Sequence, residues 1–143
     1  VGGTALGFAR ERSFIPWDFD MDFYAPDNLL NGLEEYCNQK EMACIIDEGI
    51  LKSEFKLLSG DVIPLGIKFL DTKQPIYLDH FEDHVWEWPM EMFTDCEEVM
   101  IHSRRLFIPK PSAVYLEGVF GPSWKIPNPE FTYFDYNSGF KKA

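Results

Sequence analysis

The sequence predicts an α+β protein, with a few helices set apart from a small mixed β-sheet. Three observations lead there. Helical periodicity is confined to the stretch before Asn38 and to a short segment around Tyr115. Between them lie apolar and aromatic runs separated by short polar gaps, as in antiparallel strands. Ten Pro and ten Gly are spread as punctuation, with no internal repeat or low-complexity tract.

In chain order, Thr4 is placed to cap a helix from Ala5 to about Arg12, with Leu6, Ala9 and Arg10 on one face. Phe14-Ile15-Pro16 ends it. Asp20 to Tyr24 alternates acids with Met21 and Phe23 and reads as a strand. Pro26-Asp27 opens the clearest helix, in which Leu29, Leu30, Leu33, Tyr36 and Cys37 recur at helical spacing; it fades near Asn38. Phe55–Leu58, Ile63–Leu70 and Ile76–Phe81 read as an antiparallel meander, divided by Ser59-Gly60-Asp61 and Asp71-Thr72-Lys73. Val99–Ile101 and Leu106–Ile108 suit a hairpin about Ser103-Arg104. Pro111-Ser112 starts a last helix, Ala113–Phe120, which Gly121-Pro122 stops. From Ile126 on, the aromatic, Pro-bearing tail is expected to drape over the body.

Composition narrows the function. A chain of 143 residues fits one domain, residues 1–143, and buries roughly two-thirds of its unfolded surface without a staple. At 45% hydrophobic and 16% aromatic it is too apolar for disorder. Lys and Arg number 13 against 24 Asp and Glu, a net charge of −11. That balance disfavours a nucleic-acid binder built on a basic face. A polyanionic ligand then needs metal ions as intermediaries. No apolar run approaches the ~18 residues of a membrane span, and no signal-peptide pattern is visible. Cys37, Cys44 and Cys96 are too few and too loosely spaced for a disulfide framework or a four-thiolate zinc site. The chain opens on Val1 and runs straight into its most informative motif, so a longer parent protein is expected.

That motif is Gly2-Gly3-Thr4-Ala5-Leu6-Gly7, followed by Pro16-Trp17-Asp18-Phe19-Asp20-Met21-Asp22. Alternate residues of a strand point to one side, so Asp18, Asp20 and Asp22 are expected on one face at spacings of about 7 Å. Like charges so placed repel, and burial raises their pKa values. A divalent cation relieves both. Carboxylates suit Mg²⁺ or Mn²⁺, and Mg²⁺ typically takes one or two of them together with substrate phosphates. Gly2-Gly3 at a helix start offers N–H groups and the positive end of a dipole to a phosphate. A phosphate cradle beside an acidic strand suits phosphoryl or nucleotidyl transfer. Taken alone, the three Asp also suit a solvated edge strand. A calcium EF-hand fails on spacing: counted from Asp18, Phe23 stands where Gly is needed and Leu29 where Glu is needed.

The stretch GGTALGFARERSFIPWDFDMDF resembles the signature of the LicD and fukutin family of phosphotransferases, with its Gly-Thr-x-Leu-Gly and Ile-Pro-Trp-Asp-x-Asp-x-Asp blocks. Ile76-Tyr77-Leu78-Asp79-His80-Phe81 is similar to the family's later strand carrying one more aspartate. Phe107-Ile108-Pro109, with Tyr115-Leu116 through Phe120-Gly121, is similar to its C-terminal block. The resemblance implies a nucleotidyltransferase fold like the palm of DNA polymerase beta. It implies transfer of a phospho-alcohol, such as phosphocholine or ribitol phosphate, from a CDP-alcohol donor to a glycan acceptor. By position, Asp20, Asp22 and Asp79 take catalytic, metal-binding roles with Mg²⁺ or Mn²⁺. Asp79 either binds the acceptor-side metal or accepts the proton of the attacking hydroxyl, and Asp18 supports the ligands from behind. Gly2, Gly3 and Thr4 hold the donor's diphosphate, and Arg10 reaches the same phosphates; the other reading of Arg10 is a surface ion pair. Phe19 stands where bacterial members often carry an acid, which is closer to the fukutin-like branch, and Ser13 stands where many have Gly. The helix and strand that usually precede Gly2-Gly3 are not in this segment, so one edge of its sheet is expected to be bare. A fukutin-like parent implies the Golgi, a bacterial LicD-like one the cytoplasm.

Other signals compete. His80 and His84 lack the Glu that a zincin carries directly after its first His, and their setting reads as extended. Cys37, Cys44 and His102 are a loose candidate for structural zinc, with buried thiols the plainer reading. Trp86, Trp88 and Trp124 are candidates to stack on a base or sugar, or to fill the core. Arg104, Arg105 and Lys110 form the one basic cluster, a candidate anion contact or a solvated hairpin tip. Two other functional classes stay open. One is a non-catalytic interaction module of the same family. The other is a UDP-sugar glycosyltransferase, whose Asp-x-Asp motif also holds a metal but leaves Gly-Gly-Thr unexplained.

Overall fold

Helix α1 runs Gly2–Arg10 and buries Thr4 to Phe8 in unbroken succession. A helix enclosed on nearly every side has no single apolar face, so periodicity misplaced its start and its buried side. Thr4, expected as the cap, lies inside the helix. Its hydroxyl instead accepts a hydrogen bond from the Asp22 backbone N–H (3.0 Å), tying α1 to the acidic segment. The computed structural model describes residues 1–47, 49–56, 59–81 and 84–132, apart from the side chains of Phe55, Phe81 and His84.

Strand β1 (Met21–Pro26) leads through a 3₁₀ turn (Asp27–Leu29) into α2 (Leu30–Gln39). There follow β2 (Cys44–Asp47), β3 (Ile50–Lys56), β4 (Val62–Leu70), β5 (Ile76–Phe81), β6 (His84–Pro89), the short α3 (Glu91–Thr94), β7 (Glu97–Ile101), β8 (Arg104–Ile108) and α4 (Ser112–Phe120). The architecture is α+β with small sheets, as expected. The expected strand Phe55–Leu58 is the end of the longer β3, and positions 57 and 58 lie outside the described residues.

One sheet has the order β1-β4-β3-β2; β1 pairs with β4 in parallel and the other pairs are antiparallel, so it is mixed. The expected meander stops at β4. β1 occupies the β4 edge that β5 would need, and β5 pairs with β6 in a separate ribbon. A second ribbon, β7–β8, turns at His102-Ser103 (φ 45° and 64°), one residue earlier than expected. Among the described residues β1 has one partner strand. Along its other edge the Val1 nitrogen donates to the Asp22 carbonyl (2.5 Å).

The core gathers α1, α4 and the two ribbons around Leu6, Phe8, Trp88, Val99, Ile108, Tyr115 and Leu116. Burying side chains of this size contributes about 1.5–3 kcal/mol each. The tail packs as expected as far as it is described: Phe131 lies 5.2 Å from Phe120, ring to ring. Residues 133–143 lie outside the described residues. No helix among the described residues is long and apolar enough to cross a membrane.

Candidate active site

Strand alternation gives the four-stranded sheet one polar face. Register places Asp22, Gly66 and Lys52 in one cross-strand row, and Tyr24, Lys68 and Ile50 in the next. Asp79, from β5, meets this face. Lys68 Nζ donates to its Oδ1 (2.7 Å), Tyr24 Oη to its Oδ2 (2.6 Å) and Tyr77 Oη to Oδ1 (3.3 Å). The Asp79 side chain is 16% exposed and that of Lys68 32%. The two hydroxyls are aimed by packing: Tyr24, Tyr77 and Phe93 stand edge to face, with centroids 5.0–5.6 Å apart. Phe93 in turn contacts Tyr115, whose hydroxyl accepts from the Gly2 N–H (3.0 Å). Burial pushes both Tyr24 and Tyr77 up, so each remains an O–H donor.

Three hollows open around the start of α1 and β1. One of about 100 Å³ is lined by Gly2, Asp22, Lys68, Asp79, Trp86 and Tyr115. A second of about 270 Å³ has Gly3, Arg10, Trp17, Asp18, Trp124 and Asn128 in its walls. The third, a cleft of about 500 Å³ across the sheet, runs from Asp20 and Asp22 to Lys52, Glu54 and Gly66. The structure thus brings Asp22 and Asp79 together beside Gly2, and groups Gly3 with Arg10 and Asp18. Thr4 is buried and serves as the α1–β1 tie. Arg10 is neither exposed nor simply paired. Its side chain is 10% exposed, Nε bonds Glu11 (2.6 Å), Nη1 donates to the Trp124 carbonyl (3.0 Å), and Nη2 has no partner among the described residues.

The three acids are not all on a strand. The ladder begins at Met21, so Asp18 and Asp20 precede it and only Asp22 belongs to β1. Each still lies within reach of a neighbour's charge. Burial, the Asp20 charge and a hydrogen bond with Asp20 raise the Asp18 pKa to about 6. Surrounding protein atoms and Asp20 push Asp22 up as well. Backbone space is fitted to these carboxyls. A Cβ on Gly3 would stand 2.2 Å from Asp18 Oδ2, and one on Gly66 2.5 Å from Asp22 Oδ1. Among the described residues no three of His, Cys, Asp and Glu close around a common point. The donor set nonetheless fits Mg²⁺ or Mn²⁺, which need one or two hard oxygens from protein and take the rest from water and phosphate. Crowded carboxyls whose charged forms are disfavoured, as for Asp18 and Asp22, gain most from a cation.

Two results follow. Asp18 binds its proton more tightly folded than unfolded, so stability falls as pH rises from its ordinary 3.8 to about 6 and levels off above. In EDTA, Asp18→Asn is expected to flatten that decline in a melting-temperature series; an unchanged slope would refute the assignment. Gly66→Ala removes no chemistry, yet its methyl must displace the Asp22 carboxyl. We expect metal affinity to fall roughly 10- to 100-fold with the fold retained, read by Mn²⁺ titration; unaltered affinity would show that Asp22 is free to move.

Lys68, Tyr24, Tyr77 and Gly66 escaped sequence reasoning. The available signal was Lys68, the lone cation in the apolar run Ile63–Leu70. Several competing signals resolve. Trp86 and Trp88 are buried, at 8% and 1% exposure, and Trp88 packs on Tyr115. Arg105 and Lys110 pair with Glu98 (3.9 Å) and Asp95 (3.0 Å). Cys37, Cys44 and His102 do not form a metal-binding group. The His84 side chain lies outside the described residues.

Against known proteins, a family model described as LicD/FKTN/FKRP, nucleotidyltransferase domain, matches residues 1–111. That span covers Gly2-Gly3, the acidic segment, Asp79 and Phe107-Ile108-Pro109, and ends before α4. No curated protein matches the chain.

Proposed function

The chain belongs to the LicD/FKTN/FKRP family, whose coarse activity is phosphotransfer in glycan and choline modification, and from that membership we propose a metal-dependent transferase of the nucleotidyltransferase fold, the whole chain forming one such unit. The donor is a CDP-alcohol and the acceptor a glycan hydroxyl. The hydroxyl oxygen attacks the distal phosphorus, the bond to the bridging oxygen breaks, and CMP leaves. The observation that carries this is the meeting of Asp22 and Asp79 in one hollow beside Gly2, with Lys68 in the same wall and paired with Asp79.

Asp20 and Asp22 would hold Mg²⁺ or Mn²⁺, which when bound offsets the charge developing on the transferred phosphoryl group. Gly3 and Arg10, sharing the 270 Å³ hollow, receive the donor's diphosphate, with the Arg10 guanidinium as the charged donor. Asp79 takes the acceptor's proton. An ionised carboxylate accepts about four hydrogen bonds, and among the described residues Lys68, Tyr24 and Tyr77 occupy three, leaving one direction for the incoming hydroxyl. The ammonium already on Oδ1 supports this role over metal binding by Asp79.

The test is a thermal-shift panel of CDP-alcohols and UDP-sugars, with and without Mn²⁺ or Mg²⁺. A ligand at one hundred times its Kd adds about 2.7 kcal/mol. Metal-dependent stabilisation by CDP compounds is expected. A UDP-sugar preference would indicate the glycosyltransferase, and no nucleotide response from folded protein would indicate a non-catalytic module.

A further inference from the structure

We propose that Cys37 and Cys44 are a covalent modification site, a thiol pair that closes to an intramolecular disulfide by exchange with a small external disulfide. The backbone builds the pair. At the end of α2 the Cys37 carbonyl accepts from the N–H groups of Lys40 (3.2 Å) and Met42 (2.9 Å), which turns the chain back on itself. Cys44, the first residue of β2, then comes beside the Cys37 thiol. Ser53, opposite Cys44 in the ladder, donates to the Ala43 carbonyl (2.8 Å) and pins the start of β2. Both sulfurs are free thiols. Cys96 is engaged elsewhere, directing its S–H at the Phe93 carbonyl (3.0 Å).

Access sets the order of events. Cys37 is 5% exposed and Cys44 is half-buried, so an external disulfide R–S–S–R reaches Cys44 first. Cys44 gives its proton to solvent and its sulfur attacks one reagent sulfur; the reagent's S–S bond breaks and the first thiolate leaves. Cys37 then loses its proton and attacks the Cys44 sulfur, forming the internal S–S bond and expelling the second thiolate. Two protein thiols are oxidised and one external disulfide is reduced to two thiols. Burial and the neighbouring Cys44 push the Cys37 thiol up, which keeps it protonated until the mixed disulfide is beside it. The bond fastens α2 to the outer strand of the sheet whose polar face carries Asp22, in the row Asp22, Gly66, Lys52, Ile45.

Lys40 and the cysteines supply the test. Trypsin cuts after Lys40, so the two cysteines fall on fragments Ser13–Lys40 and Glu41–Lys52. After folded protein is treated with oxidised glutathione, those fragments are expected to stay joined until reduced, with Cys96 open to alkylation after denaturation. The melting temperature is expected to rise by about 5–10 °C. Cys96→Ser should form the same bond, and Cys37→Ser should instead hold glutathione on Cys44. Unlinked fragments, linkage through Cys96, or glutathione resting on Cys44 of the unsubstituted protein would each overturn the assignment.

Discussion

Asp22→Asn is expected to lower turnover by about 10²–10³-fold while leaving the melting temperature unchanged or higher. Asn keeps the shape that sits over Gly66 and one acceptor oxygen, and removes the charge. In the metal-free protein that charge is a burden, since crowding and Asp20 both push the Asp22 pKa up. A carboxyl whose folded pKa is raised is destabilising once ionised, so at pH 7 its removal relieves the fold. With metal present the sign reverses, because the charge is then what retains the cation. Paired measurements decide: melting temperature in EDTA, and kcat/KM with Mn²⁺. Full activity would remove Asp22 from the site, and a collapsed melting temperature would make its role structural.

Asp79→Asn is expected to lower kcat by about 10²–10⁴-fold while sparing donor affinity, because the amide still receives Tyr24 but no longer takes a proton. Lys68→Met separates positioning from chemistry. It strips the half-buried Asp79 of its charged partner (2.7 Å) and is expected to cost about 1–2 kcal/mol of stability. The double variant should recover part of that loss, since no unpaired charge remains. Calorimetric donor titration beside single-turnover kinetics separates the roles. Equal loss of donor affinity and turnover in Asp79→Asn would undo the proton-accepting role.

Much of the fold was legible locally. β5 occupies Ile76–Phe81 with the bounds its apolar run indicated, and α4 starts one residue before expectation. The pairing was not legible. β1 joins β4 in parallel, Met21 against Leu65, and no local pattern encodes so distant a choice. β2 has four residues, too few for alternation to register, and β6 carries its Pro at the end, where pairing tolerates it. In the site, Asp18, Asp20 and Asp22 stood out by their short spacing, and Asp79 by the resemblance of Ile76–Phe81 to the family's later strand. Their partners did not. Tyr24 and Tyr77 look like ordinary strand aromatics until packing against Phe93 aims their hydroxyls at Asp79. Thr4 looks like a cap until α1 is seen to begin at Gly2.

In the proposed reaction this chain breaks a CDP-alcohol at its distal phosphorus. The most direct measurement is nucleotide release from CDP-choline and CDP-ribitol, with Mn²⁺ and a glycan acceptor, beside an Asp20→Asn control. CMP is expected in amounts matching the phospho-alcohol gained by the acceptor, absent without metal and in the control. CMP release that persists in Asp20→Asn, or no CMP from folded, nucleotide-binding protein, would contradict it.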